Sequence, residues 1–170
     1  MDRPSAKPFL ERTPLANLDS FDFRIISELQ HNGRLSIAEL SARVGLSASP
    51  CWRRVRILED AGVIQGYAAR IDPATLGLGL NVFVAASLDL HRAAEFEAAV
   101  MACPEVMECY AMTGEQDYLL HIATADIIAF DHFLRDKLIH MPGVQTIKSS
   151  FALKAIKSTS ALPIPVRPGR

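Results

Sequence analysis

The chain has 170 residues and a formal net charge of −1, and 49% of its residues are hydrophobic while 22% are charged. This composition suits one large or two small globular domains, and the sequence contains no apolar run of about 18 residues, so we expect no membrane span. The N-terminus lacks the apolar segment of a signal peptide. Three cysteines without CxxC spacing indicate reduced thiols, and we therefore expect a cytoplasmic protein.

The small net charge conceals a segregation of charge along the sequence. Residues 47–58 hold three arginines and no acid, whereas residues 89–140 hold three basic residues against ten acidic ones. Residues 141–170 hold five basic residues and no acid. This distribution favours nucleic-acid binding in one region only, although many enzymes carry charge patches that are as uneven.

The N-terminal part predicts a flexible arm followed by a helix. Residues 1–17 contain three prolines and no sustained periodicity, so we expect an arm without regular structure. Asn17 or Asp19 is predicted to cap a first helix that runs to about His31, because apolar residues recur there at three- and four-residue spacing.

A helix-turn-helix pattern follows. Ser36 and Glu39 form a capping box that begins a short helix, which runs to about Val44. Gly45 gives the turn its backbone freedom. Ser47 is predicted to cap the second helix, which carries the three arginines.

The second helix has a defined phase, because Cys51, Val55 and Leu58 fall on one side. Such a helix lies in the major groove, where its arginines contact guanine or phosphate and helix-start N–H groups bind phosphate. The alternative is a three-helix bundle with a solvated arginine face. Trp52 either packs against the bundle or lies against the sugar-phosphate backbone. The predicted DNA-binding residues are Ser36, Ser47, Ser49, Pro50, Arg53, Arg54 and Arg56.

Residues 64–79 are predicted to form a hinge strand, Ile64–Ile71, and a linker. The order strand, helix, strand, strand, helix, strand then predicts a ferredoxin-like βαββαβ domain, whose helices cover one face of the sheet. Because the first of these strands is apolar on both faces, we expect another subunit to pack against the open face. The predicted elements are Leu80–Leu90, Arg92–Met101, Val106–Thr113, Tyr118–Thr124, Asp126–His140 and Val144–Ile156, the last one bent near Ser149-Ser150.

Several separated motifs resemble the Lrp/AsnC family, the feast/famine regulators of bacteria and archaea. They occur in the order LDSFDFRIISELQHNGRLSIAELSARVGLS, ASPCWRRVRILEDAGVIQGY, IDPATLGLGL, CYAMTGEQDYLLHI and MPGV. The resemblance extends from about Leu18 to Leu162. It implies an α+β protein with a winged-helix-like helix-turn-helix domain at 18–63, a linker, a ligand-sensing and oligomerisation domain of the ACT-like (RAM) type at 80–157, and a tail at 158–170.

The resemblance also implies a function. The chain is expected to be a nucleoid-associated, sequence-specific transcriptional regulator that binds a palindromic double-stranded DNA site. It is expected to form homodimers that associate to tetramers or octamers, and to respond to an amino acid without needing a cofactor. The effector would lie between dimers, near the turn that joins the second and third strands of the sensing domain.

At that turn, Gly114 lets a ligand approach the backbone closely. Glu115 or Asp117 would accept hydrogen bonds from an α-ammonium group, and exposed N–H groups would receive an α-carboxylate. The alternative is an ordinary hairpin turn in which Asp117 serves structure. The predicted effector-binding residues are Met112, Thr113, Gly114, Glu115, Gln116, Asp117, Tyr118 and Ser149.

Two other functional classes remain as alternatives. An enzyme is disfavoured, because the histidines and cysteines lack metal-ligand spacing and no GxSxG, HExxH, P-loop or GxGxxG motif occurs; we predict no catalytic residue and no metal site. The second alternative is a stand-alone amino-acid sensor whose helical domain binds protein, and the arginine-rich helix argues against it. The basic tail has no predicted role.

Overall fold

The computed structural model describes residues 18–164 and places them in two compact units. Among the described residues, the first unit comprises 18–69 together with 159–164, and the second runs from Arg70 to Ser158. The predicted N-terminal arm and residues 165–170 of the tail lie outside the described residues. Within the described range, the helices are too short or too polar to cross a membrane.

Three α-helices build the first unit: α1 (Ser20–His31), α2 (Ile37–Val44) and α3 (Ala48–Asp60). Gly45 ends α2 with a φ of 74°, a left-handed conformation that favours glycine, and it turns the chain into α3. The predicted inward phase of α3 is confirmed by a shared core, which consists of Ile25, Leu40, Val44, Cys51, Val55 and Leu58.

Residues 64–71 contain no strand, so the predicted hinge strand Ile64–Ile71 is wrong for this chain. A strand is stable only when its backbone groups pair with a neighbour, and the described residues offer this segment no paired strand. The chain instead runs irregularly to a short 3₁₀ turn at Pro73–Leu76, which the Asp72 side chain caps.

The second unit has the predicted order of elements. Its elements are β1 (Leu80–Leu88), α4 (Ala93–Met101), β2 (Val106–Ala111), β3 (Tyr118–Thr124), α5 (Ile127–Asp136) and β4 (Val144–Phe151). The strands form one antiparallel sheet in the order β2-β3-β1-β4. Several boundaries differ from the prediction: β1, β2 and β4 end earlier than predicted, and the second helix ends at Asp136 and is followed by a 3₁₀ turn at Leu138–His140. The ladders shift register at Ser87/Leu88 and at Val106/Glu108, whereas the predicted bend near Ser149-Ser150 has no register shift.

The side chains of β1 point alternately to the two faces of the sheet. Val82, Val84 and Ala86 are fully buried with the helices, in a core that includes Phe96 and Phe130. The residues between them point to the opposite face, which carries no helix. This arrangement leaves one face of the sheet open, as the βαββαβ order predicts.

Candidate DNA-binding surface and effector turn

The outer side of α3 presents a polar and aromatic surface. Ser49, Arg53 and Arg56 are exposed there, as the helical phase predicts. Trp52 is 55% exposed, so the helical core does not cover it. Arg56 pairs with Glu59 at 3.2 Å, whereas Arg53 forms no ion pair with any residue from 18 to 164.

Arg54 has a different environment from its neighbours. Its Nη1 lies 2.8 Å from the Asp22 carboxylate, and its Nη2 lies 2.8 Å from that of Asp19. The guanidinium also lies over the ring of Phe21, 5.5 Å from its centroid. The hydrogen bond to Asp22, above all, raises the pKa of Arg54. Arg54 therefore joins α3 to α1, and its predicted DNA contact stays a prediction.

The two helix-start serines also differ. Ser36 is committed to the predicted capping box: its Oγ accepts from the Glu39 N–H at 3.2 Å and donates to the Glu39 carboxylate at 2.7 Å. Ser47 occupies the cap position of α3, but its side chain makes no capping hydrogen bond. Because Ser47 is exposed, its hydroxyl and the first N–H groups of α3 remain available to a phosphate. Pro50 is half-buried in the first turn of this helix.

The turn between β2 and β3 is an exposed, charged loop. Gly114 has a φ of 141°, and a Cβ there would meet no atom within 4 Å, so the space beside it is open in this chain. Glu115 pairs with Lys148 of β4, with 2.8 Å between Oε1 and Nζ. This hydrogen bond lowers the pKa of Glu115. The sequence prediction missed Lys148, because only the pairing of strands brings it to the turn.

Asp117 holds the turn to the sheet. Its Oδ2 accepts from the Leu88 N–H at 2.8 Å, and its own N–H donates to the Ala86 carbonyl at 3.0 Å. Next to it, the Gln116 side chain accepts from the Ser87 hydroxyl at 3.1 Å. These bonds favour the structural alternative for Asp117 and leave Glu115 as the exposed carboxylate of the turn.

Two of the predicted effector residues point to the helical side of the sheet. Tyr118 is buried there and donates to Glu97 at 2.7 Å, and burial raises its pKa to about 12. Ser149 is exposed and follows Lys148 on β4, in register with Val84, whose side chain points to the helical side. Met112 and Thr113 are exposed beside Gly114. The structure therefore assigns the turn surface to residues 112–115 and Lys148.

The remaining titratable residues do not gather into a metal site. Within residues 18–164, no group of three or more His, Cys, Asp or Glu side chains is placed to hold a metal ion. The cysteines are free, and burial raises the pKa of the Cys109 thiol to about 11, so that it is protonated at neutral pH.

Both units match known protein families. The profile of a winged helix-turn-helix DNA-binding domain matches residues 18–65, and that of the Lrp/AsnC ligand binding domain matches residues 81–162. A Bkd operon transcriptional regulator from Pseudomonas aeruginosa is 43% identical over 153 residues, which cover 88% of this chain and 100% of that protein. A leucine-responsive regulatory protein from Salmonella typhimurium is 40% identical over 162 residues, covering 92% of this chain and 98% of that protein.

A solved structure agrees with these matches. A transcriptional regulator from Neisseria meningitidis, determined in complex with L-methionine, superposes with a TM-score of 0.84 at 48% identity and covers 86% of this chain and 97% of that chain. These relatives are regulators, and they confirm the predicted fold and the predicted class of function, a DNA-binding regulator of transcription. The chain belongs to the Lrp/AsnC family and is a DNA-binding transcriptional regulator.

Proposed function

We propose that Arg53 contacts a base edge in the major groove, while Arg56, Ser47 and Trp52 contact the sugar-phosphate backbone. The observation that carries this proposal is the environment of Arg53, the one α3 arginine without a carboxylate partner among the described residues. A guanidinium that is not already paired is free to form two hydrogen bonds with the O6 and N7 of guanine.

Sequence specificity would come from a pair of such helices. A homodimer presents two copies of α3, so a roughly palindromic site with half-sites one helical turn, or a multiple, apart fits its two-fold symmetry. Further association to tetramers or octamers would bend the DNA that is bound. Since the target is chromosomal DNA, we place the protein in the cytoplasm with the nucleoid.

Substitution of Arg53 tests the base contact. On an operator selected from a random-sequence DNA pool, Arg53→Ala should lose about 1–3 kcal/mol of binding free energy and should discriminate less between sequences. Arg135→Ala is the matched control, because Arg135 is an exposed α5 arginine whose partner is Asp131. An equal loss of affinity on the selected operator and on random DNA would assign Arg53 to phosphate instead.

Trp52 provides a second measurement. It is the only tryptophan of the chain and is more than half exposed, so its fluorescence reports the α3 surface alone. DNA binding should change its emission and protect it from acrylamide quenching. Unaltered quenching in a saturated DNA complex would exclude Trp52 from the interface.

We also propose that an amino acid binds at the β2–β3 turn and modulates DNA binding or assembly. Glu115 would receive the α-ammonium group and Lys148 the α-carboxylate, because the two side chains present opposite charges 2.8 Å apart at an exposed turn. Open space beside Gly114 leaves room for the ligand. The Neisseria meningitidis neighbour with bound L-methionine supports an amino acid as the class of effector.

A thermal-shift screen over the twenty amino acids identifies the effector, because a ligand that binds the native state raises its stability. Calorimetry with the best amino acid should then show about tenfold weaker binding, or more, for Glu115→Gln and Lys148→Met, since each variant loses a charge-assisted hydrogen bond. The control pair is Asp131→Asn and Arg135→Met, an exposed ion pair on α5. Unchanged affinity in both turn variants would place the effector elsewhere.

A further inference from the structure

The C-terminal segment returns to the DNA-binding unit after the last strand of the second unit. Residues 159–164 belong to the first unit, although they follow Ser158 of the second. The contact that holds this segment is made by Gln30, in the last turn of α1. Its Oε1 accepts from the Leu162 N–H at 2.6 Å, and its Nε2 donates to the Leu162 carbonyl at 3.3 Å.

The chemistry of this contact depends on a primary amide. Gln30 offers an acceptor and a donor side by side, and so it pairs with both main-chain groups of one residue, as a neighbouring strand would. Glutamate has the same shape but cannot donate when ionised, and its charge would repel the Leu162 carbonyl. The Leu162 side chain is 75% exposed, so the attachment depends on the main chain rather than on apolar burial.

A local turn lies just before this contact and restricts the backbone of the segment. The Ala161 N–H donates to the Thr159 hydroxyl at 3.1 Å, a side-chain turn that fixes the backbone just before Leu162. Ala161 itself is half-buried. Because the turn already restricts the backbone, less conformational entropy is lost when Leu162 pairs with Gln30.

We propose that residues 159–164 form a strap that Gln30 fastens to α1. The DNA-binding unit is then joined to the sensing unit by two stretches of chain, the linker around Arg70 and the strap. A unit held at one point by a flexible linker reorients freely, whereas a second attachment removes much of that freedom. The strap therefore limits how α3 moves when the sensing unit responds to an effector.

Hydrogen exchange tests the attachment itself. The peptide that contains residues 159–164 should exchange about two- to tenfold faster in Gln30→Glu and Gln30→Ala than in the parent chain, as expected for the loss of hydrogen bonds of ordinary net strength. Gln65→Glu is the matched control, because Gln65 is exposed and its side chain makes no hydrogen bond with residues 18–164. Exchange at the parent rate in both Gln30 variants would contradict the proposal that Gln30 attaches residues 159–164 to α1.

A substitution in the strap separates the main-chain contact from the side chain. Leu162→Pro removes the N–H that donates to Gln30. The neighbouring strap amides should then exchange faster, as in the Gln30 variants. Leu162→Ala keeps that N–H and should leave the exchange rate at the parent value. Faster exchange in Leu162→Ala than in Leu162→Pro would show that the side chain, not the main chain, holds the segment. Unchanged melting temperatures of the α-helical unit would show that the variants remain folded.

The coupling role is tested by DNA binding with and without the amino acid chosen in the thermal-shift screen, and this part rests on the proposed effector site. The Gln30 variants should bind DNA as the parent does without the amino acid, and should lose the change in affinity that the amino acid causes. A full response in variants whose strap is released would overturn the coupling role. Absence of a response in the parent chain would instead refute the effector site, and the exchange result would still decide the attachment.

Discussion

Three arginines within four positions of α3 have three different environments. The helical phase correctly predicted Arg53 and Arg56 on the outer side of α3, because that phase follows from the spacing of the buried residues. It could not reveal the partners of Arg54, since the carboxylates of Asp19 and Asp22 that pair with it belong to α1. A contact over 32 positions depends on how two helices pack, and no local pattern in the sequence records it.

Arg54→Ala should lower the free energy of unfolding by about 1–3 kcal/mol, because it leaves the mostly buried Asp22 carboxylate without its cation. The Asp22 side chain is only 12% exposed, so water replaces the lost partner poorly. Urea unfolding followed by circular dichroism measures the change. Arg53→Ala is the control and should stay within about 0.5 kcal/mol of the parent, as is usual for an exposed position. Equal stability of the two variants would contradict the structural role of Arg54.

The β2–β3 turn also depends on residues that are distant in the sequence. The motif placed the turn correctly and offered both Glu115 and Asp117 as ligand contacts, with a structural role as the alternative for Asp117. The bond from the Leu88 N–H to Asp117 separates them. The contact of Lys148 with Glu115 was not predicted, because the two residues lie 33 positions apart and the sequence pattern does not fix the register of the strand that carries Lys148.

At the scale of elements, every strand of the second unit was predicted, whereas several strand ends were not. The prediction for β3 matched both boundaries, since it lies between two partners. The last strand was predicted to reach Ile156 but ends at Phe151, because its partner β1 begins at Leu80 and the last pair of the ladder joins Val82 to Phe151. Residues 64–71 have strand-forming composition but no partner in this chain, and composition alone could not reveal that.

The first turn of α1 depends on a charged cap. The Asp19 carboxylate accepts from the N–H groups of Phe21 and Asp22 and pairs with Arg54. Partial burial raises the pKa of Asp19, but these hydrogen bonds lower it by more, so that the net pKa lies below the ordinary value of 3.8. A carboxyl group whose pKa is lower in the folded than in the unfolded state stabilises the fold above the unfolded pKa.

This stabilisation should be present at neutral pH and should be lost as the pH falls through the lowered pKa of Asp19. Asp19→Asn retains a good capping group but no charge, so it should be less stable than the parent at pH about 7 and should approach the parent at pH about 2, well below the ordinary pKa of aspartate. Urea midpoints at the two pH values measure this difference. Asp60→Asn, at the exposed end of α3, is the control. A difference between Asp19→Asn and the parent that persists in acid would exclude the charge as its cause.

At the scale of the whole molecule, the segregation of charge separates two tasks. The basic residues of α3 lie in one unit and the acidic run of residues 89–140 lies in the other. The sequence allowed this division to be predicted, because charge and the order of elements are both local properties. Assembly was predicted less directly, from a strand that is apolar on both faces.

The open face of the sheet has the chemistry of a surface that pairs with a second copy. Phe83 is 41% exposed and stacks on His121, with 4.8 Å between the ring centroids, and His121 is in turn held 2.9 Å from Asn81. Tyr110 on β2 is also exposed. Aromatic side chains gathered on one uncovered face favour a symmetric contact, in which the same residues meet from both subunits.

Phe83→Asp should therefore convert a homodimer into a monomer without unfolding it, because a charge at this face would be buried against its own copy while the core beneath it remains intact. Sedimentation velocity measures the assembly. Affinity for a palindromic operator should fall with it, since each monomer holds only one α3 helix. Met101→Asp introduces the same charge at an exposed position on α4, away from the open face, and should leave the assembly unchanged. If both variants sediment as the parent does, the open face is not the surface through which the proposed homodimer forms.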